Sequence, residues 1–184
     1  MKKEFVIGVT GASGICYARR LLDVLCTEAK VHIIISDVAE SIASHEGVVL
    51  SGFSAKYHDN NQMFSEIASG SYRYDGMVVI PCSQKTLAAI SHGYADNLIT
   101  RTADVCLKER RKCILVTRET PLSGIHLTNM LAAHRSGAVI MPASPGFYNH
   151  PKTVNDLVDM VVSRVLDHLG VEHELTERWS GPDA

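Results

Sequence analysis

The chain has 184 residues, enough for one domain with a full core and short for two. Apolar residues make up 46% and charged residues 21%, an ordinary globular balance, while a formal net charge of −2 with 6% aromatic residues gives no support for a nucleic-acid surface. No apolar run approaches the roughly 18 residues needed to cross a bilayer. Met1-Lys-Lys-Glu-Phe5 sets an acid straight after the lysines and then enters a strand pattern, so no signal peptide is expected. The cysteines, at 16, 26, 82, 106 and 113, are odd in number and form no CxxC pair, which points to a reduced cytoplasmic protein without structural zinc.

Strand and helix patterns alternate along the chain. Phe5–Thr10 reads as a strand and Ile15–Glu28 as a helix with Leu21, Leu22 and Leu25 on one face. Val31–Ile35 is a second strand, followed by a helix over about Asp37–His45. The stretch from Val48 to Tyr74 is the least regular, with a short strand expected near Val48–Leu50 and a helix near Gln62–Ala68. Met77–Ile80 is a buried strand, with helices over Lys85–Ile90 and Asn97–Arg110. Then come the strand Cys113–Thr117, a helix near His126–Ser136, the strand Ala138–Met141 and a last helix over Thr153–Leu169. Buried strands alternating with helices predict an α/β single domain with a doubly wound, mostly parallel sheet, ending in a polar tail from about residue 171 that holds the lone Trp179.

Several candidate ligand positions fall at the carboxyl ends of these strands, where open α/β sheets bind their ligands. Gly8-Val-Thr-Gly11-Ala-Ser-Gly14 follows the first strand, and its glycines together with the following helix N-terminus suit an anion. The spacing is G-x-x-G-x-x-G, and Ser36 followed by Asp37 stands where a dinucleotide site wants its ribose-binding acid, so a mononucleotide such as FMN fits better; a tight turn without ligand is the alternative. Pro81-Cys-Ser-Gln-Lys-Thr86 clusters groups able to hydrogen-bond a phosphate or a heterocycle edge, and Ser83 also reads as a helix N-cap. Five of the 18 basic residues lie between Lys108 and Arg118. Arg101 and Lys108, two turns apart, share a helix face that is either a ligand contact or a solvated stripe. Arg110, Arg111 and Lys112 read as a basic helix end. Glu119 is a proton-transfer carboxylate or half of an ion pair, Cys82 a residue lining the site, His126 a capping residue and His32 a hydrogen-bonded core histidine. Pro142-Ala-Ser-Pro-Gly-Phe-Tyr148 forms an irregular loop whose tyrosine closes over a ligand or sits free on the surface.

Taken together, Val9-Thr-Gly-Ala-Ser-Gly14, Pro81-Cys-Ser-Gln-Lys-Thr-Leu-Ala-Ala89, Ala95-Asp-Asn-Leu98, Arg101 with Ala103-Asp-Val105, Leu107-Lys-Glu-Arg110, Arg118-Glu-Thr-Pro-Leu-Ser123, Ile125-His-Leu127, Asn129-Met-Leu131, Phe147-Tyr148 and Arg178-Trp179 closely resemble the UbiX family of flavin prenyltransferases. The ordered set spans nearly the whole chain. The resemblance implies a flavodoxin-like fold, reduced FMN as acceptor and dimethylallyl monophosphate as donor, with the dimethylallyl group joined to N5 and C6 of the flavin without a metal. The product, prenylated FMN, serves UbiD-type decarboxylases. It further implies a homo-oligomer, a trimer or a dodecamer built from trimers, with the site at subunit contacts. By residue, the resemblance assigns Gly11, Ala12, Ser13, Ser36, Ser83, Gln84, Lys85, Thr86, Arg101 and Arg118 to FMN, and Lys108, Tyr148 and Arg164 to the prenyl phosphate. It assigns Glu119 to proton handling, with Ser13, Lys108 and Glu46 also in the reacting site. Gln84 departs from the methionine of many relatives.

Two competing readings are weighed against this one. An FMN-dependent cysteine decarboxylase needs a histidine after the first strand, and residues 14 to 30 contain none; its Pro-Ala-Ala/Ser-Asn-Thr type loop is here Pro-Cys-Ser-Gln-Lys-Thr. A non-catalytic flavin carrier or decarboxylase accessory subunit needs no second phosphate site.

Overall fold

The computed structural model describes residues 2–179 and 181. Its six strands are β1 (Glu4–Val9), β2 (Lys30–Ile35), β3 (Lys56–Asp59), β4 (Gly76–Cys82), β5 (Lys112–Thr117) and β6 (Val139–Pro142). Its helices are α1 (Ile15–Glu28), α2 (Asp37–Glu46), α3 (Gln84–Ser91), α4 (Leu98–Lys108), α5 (Gly124–Arg135) and α6 (Val154–Leu169). The strands form one sheet in the order β3-β2-β1-β4-β5-β6, and every pairing is parallel. The doubly wound sheet expected from the alternation is therefore present, and parallel throughout.

Period-two alternation in the buried strands sends side chains to two cores. Ile7, Val9, Ile33, Val78, Ile114 and Val116 pack under α1 and α6. Val6, Ile34, Met77, Val79 and Leu115 pack on the other face with Leu98, Ile99 and Ala103 of α4. Arg20 of α1 clamps Asp159 of α6 with two bonds, of 2.5 and 3.1 Å.

Three boundaries differ from the sequence expectation. The edge strand is Lys56–Asp59, whereas Val48–Leu50 carries no strand: the Val48 N–H closes the end of α2 on the Ala43 carbonyl. Lys-Tyr-His-Asp has no buried residue, so an apolar pattern could not mark it. The helix expected over Gln62–Ala68 shrinks to a single 3-10 turn, Glu66–Ala68. β4 runs on through Pro81 to Cys82, where the register to β5 shifts; the Pro81 carbonyl accepts from both the N–H (3.2 Å) and the hydroxyl (2.8 Å) of Thr10. That bulge lets a proline sit in a central strand.

Candidate functional site

The strand order reverses between β1 and β4, and there the carboxyl ends of β1 to β5 surround a cleft of about 480 Å³. The loop after β1 supplies Thr10, Gly11 and Ala12, β2 supplies Ser36, β4 supplies Ser83 to Thr86, and β5 supplies Arg118 and Glu119. A Cβ on Gly11 would stand 2.5 Å from Cγ1 of Val38, so glycine is what allows the first turn of α2 to close on this loop.

Four helices begin around the cleft, and their first-turn N–H groups are not equally free. Gly14, in the left-handed region at φ 98°, opens α1, and the Glu46 carboxylate accepts from the N–H groups of Gly14 and Ile15 at 2.9 Å each. The anion seat expected on the glycine-rich turn is thus filled by the chain's own carboxylate. Burial pushes the Glu46 carboxyl up, but the Gly14 N–H, the Ser13 side chain, the Ile15 N–H and the Arg118 charge together hold it below the usual carboxylate range. At α4 the Asn60 carbonyl accepts from Leu98 N–H (2.7 Å), its side chain from Ile99 N–H (3.2 Å), and the Asn97 side chain from Thr100 N–H (3.1 Å).

The starts of α2 and α3 remain. Ser36 caps α2 by accepting from Ala39 N–H, but Asp37 and Glu40 place negative charge in that first turn. Ser83 caps α3 through Thr86 N–H (3.3 Å), with no acid in the first turn and Lys85 beside it. An anion is best received at α3. Gln84 lines the same wall, and both of its amide atoms are buried without a partner; Nε of Arg118 is orphaned likewise. Buried polar atoms are normally paired, so unpaired donors and an acceptor in residues of the cleft wall fit a heterocycle carrying both kinds of edge group.

Nine of the expected site residues therefore converge: Gly11, Ala12, Ser36, Ser83, Gln84, Lys85, Thr86, Arg118 and Glu119. Ser13 and Glu46 stand beside the cleft at the start of α1. Arg101 does not line it; its guanidinium binds Asp104 (2.8 Å) and the Ala68 carbonyl (3.2 Å). Lys108 lies at the far end of α4, about 14 Å along the axis from Ile99 at 1.5 Å per residue, and pairs with Glu109. Tyr148 and Arg164 line a second cavity of about 320 Å³ with Arg178 and Trp179, the two aromatic rings meeting edge to face at 5.9 Å. Within one chain the expected single site is divided into a flavin-sized cleft and a separate pocket, where Asp167 pairs with both Arg164 and Arg178 at 2.8 Å.

Two minor expectations also change. Cys82 is fully buried, its thiol pushed up to about 12 by burial, and it does not line the cleft. Arg111 is no solvated helix end, because its guanidinium lies 4.4 Å over the Tyr74 ring and donates to the Gly70 carbonyl. His126 caps α5 in a reciprocal pair with Ser123, as expected. Asn60 and Asn97 line the cleft unassigned by the sequence reading; Asn60 sits in the irregular stretch where the edge strand was misplaced.

Comparison with known proteins is consistent with this cleft. The Flavoprotein family matches residues 1–166. A flavin prenyltransferase UbiX from Methanocaldococcus jannaschii is 48% identical over 180 residues, covering 96% of this chain and 98% of the relative. The chain belongs to the UbiX family of flavin prenyltransferases. Among solved UbiX structures, AnUbiX (PadA1) in complex with FMN and dimethylallyl pyrophosphate superposes with a TM-score of 0.92 at 42% identity, over 98% of this chain and 99% of that one. A dodecameric FMN-dependent UbiX-like decarboxylase from Escherichia coli O157:H7 also gives 0.92, at 46% identity over 97% and 100% of the two chains.

Proposed function

We propose that this UbiX-family chain transfers a dimethylallyl group from dimethylallyl monophosphate to N5 and C6 of reduced FMN, and that its product serves a UbiD-type decarboxylase. The observation that carries the reading is the convergence of Ser83 to Thr86 and Arg118 with the orphaned Gln84 amide in a flavin-sized cleft, in a chain 48% identical to a flavin prenyltransferase over nearly its full length. FMN, when bound, supplies the nucleophilic ring atoms. The α3 N-terminus with Ser83, Lys85 and Thr86 receives its phosphate, Ser36 faces it from α2, and Gln84 and Arg118 satisfy ring-edge groups.

Breaking an allylic carbon–oxygen bond leaves negative charge on the departing phosphate. Cations that meet this charge stabilise the transition state more than the ground state. Lys108, Arg164 and the Tyr148 hydroxyl serve that purpose. Because these side chains lie away from the cleft of their own subunit, they act on the cleft of a neighbour. Glu119, at the cleft beside Arg118, takes the proton lost from flavin C6, while Glu46 fixes the Ser13 turn. Apolar exposure supports assembly as a trimer or dodecamer: α5 presents Ile125, Leu127 and Leu131 outward at 73%, 54% and 48% exposure. Five free cysteines agree with a cytoplasmic location.

Replacing Lys108 or Arg164 with alanine should abolish prenyl transfer while FMN stays bound, as read by flavin absorbance of the purified protein and by the mass of the extracted flavin. Loss of FMN with intact prenyl-phosphate binding would overturn the assignment. The cysteine decarboxylase alternative lacks its histidine, and a carrier would have no use for a second phosphate site.

A further inference from the structure

A second cluster of ligating groups lies at the other side of the sheet edge, and none of its members lines the flavin cleft. His32, third in β2 and 5% exposed, directs Nδ1 at Nε2 of His58, third in the edge strand β3, at 2.8 Å. The carboxylate of Glu66, which opens the 3-10 turn, brings a third ligand atom, and the three lie within 4.8 Å of one another. The remaining ring nitrogens are both held from outside: Nε2 of His32 meets Oε1 of Glu4 at 2.8 Å, and Nδ1 of His58 meets the Ser65 hydroxyl at 2.9 Å. Tyr72 in turn donates to the same Glu4 oxygen at 2.5 Å. The outer nitrogen of each imidazole is fixed by a carboxylate or hydroxyl, as metal sites do to set tautomer and ring direction, while the inner nitrogens face each other.

We propose that His32 Nδ1, His58 Nε2 and the Glu66 carboxylate bind one divalent transition-metal ion of the Zn²⁺ type, with water completing a tetrahedral shell. Two imidazoles and one carboxylate are borderline ligands suited to such ions. An open cavity of about 650 Å³ adjoins the cluster at His32 and is lined also by Glu4, Lys56 and Tyr72. Metal-free, the Glu4 carboxylate, which can only accept, sets the proton order of neutral rings. Nε2–H of His32 donates to Glu4, Nε2–H of His58 donates to His32, and the Ser65 hydroxyl donates to His58. Binding replaces the proton between the rings: the His58 proton moves to Nδ1 and is donated to Ser65, so both rings ligate as neutral imidazoles without releasing a proton. Lys56, exposed and now paired with Glu66, swings away from the carboxylate. The ring nitrogens must part by roughly half an ångström to suit metal–nitrogen bonds of about 2.0–2.1 Å. The ion would tie β3 and the 3-10 turn to β2, bracing an edge whose own residues bury little.

The test uses the full-length, untagged protein stripped with chelator and titrated with Co²⁺, read by its visible d–d bands, and with Zn²⁺ by calorimetry. The expected result is saturation at one ion per chain, a raised thermal midpoint, at least tenfold weaker binding in Glu66→Gln and no saturable binding in His58→Asn. Glu66→Gln is isosteric at a half-buried side chain and keeps the test sound should His58→Asn fail to fold. Absence of saturation at one ion per chain, or unchanged affinity in Glu66→Gln, would overturn the proposal. Neither readout depends on flavin or prenyl transfer, so this site and the cleft assignment fail separately.

Discussion

Glu46 shows how one side chain decides what a helix terminus can bind. Its carboxylate takes the N–H groups of Gly14 and Ile15, so the anion-attracting end of α1 is satisfied before any ligand arrives. Glu46→Ala should cost about 1–2 kcal/mol, the scale of a lost helix cap, in denaturant unfolding of the flavin-free protein. Because the carboxyl is held below its unfolded value, its charge adds stability at pH above that value, and the contribution disappears as pH falls through the lowered one. The gap between the native chain and Glu46→Gln should therefore be widest near neutral pH, shrink once pH falls below the ordinary glutamate value of about 4.3, and close below the lowered one. A gap that grew on acidification would contradict this account of the carboxylate. The sequence offered Glu46 as a site residue only through resemblance, since nothing in Ser-His-Glu-Gly announces a cap for a helix that begins 31 residues earlier.

At the scale of elements, α3 and α4 start side by side but play different parts. α4 has its first N–H groups taken by Asn60 and Asn97, whereas α3 keeps its start open to the cleft. Asn60→Ala leaves the Ile99 N–H without its acceptor and should lower stability by about 0.5–2 kcal/mol in thermal unfolding, with flavin retention weakened because Asn60 also lines the cleft. Unchanged unfolding would show that the bond is replaced by water. The central strands were legible because β1, β2, β4 and β5 are apolar on both faces, and so were the helices with one clear apolar stripe. The edge strand β3 was not, because an edge facing solvent has polar residues wherever the chain allows and leaves no period to read. The cleft residues next to the legible strands were found for the same reason, and Asn60, next to β3, was missed.

For the whole molecule, the division between the cleft and the Tyr148–Arg164 pocket is the main structural fact. Motif order along the chain placed all these residues in one site, yet it carries no information on which copy of the chain supplies each. Under the proposed reaction, Lys108, at the remote end of α4, and Tyr148 with Arg164, beside Trp179, would reach a cleft only from another copy of the chain. Co-expressing Lys108→Ala with Glu119→Ala should restore part of the prenyl transfer that each variant lacks alone, since mixed oligomers contain cleft–pocket pairs with both groups intact. No recovery in verified mixed oligomers would place both groups in one subunit's site.

The most direct measurement is to incubate the purified protein anaerobically with reduced FMN and dimethylallyl monophosphate and to weigh the flavin it releases. A mass increase of one dimethylallyl group, absent when either substrate is withheld, is the predicted result. Flavin that stays bound and returns unmodified would contradict the prenyl-transfer assignment and favour a carrier of FMN.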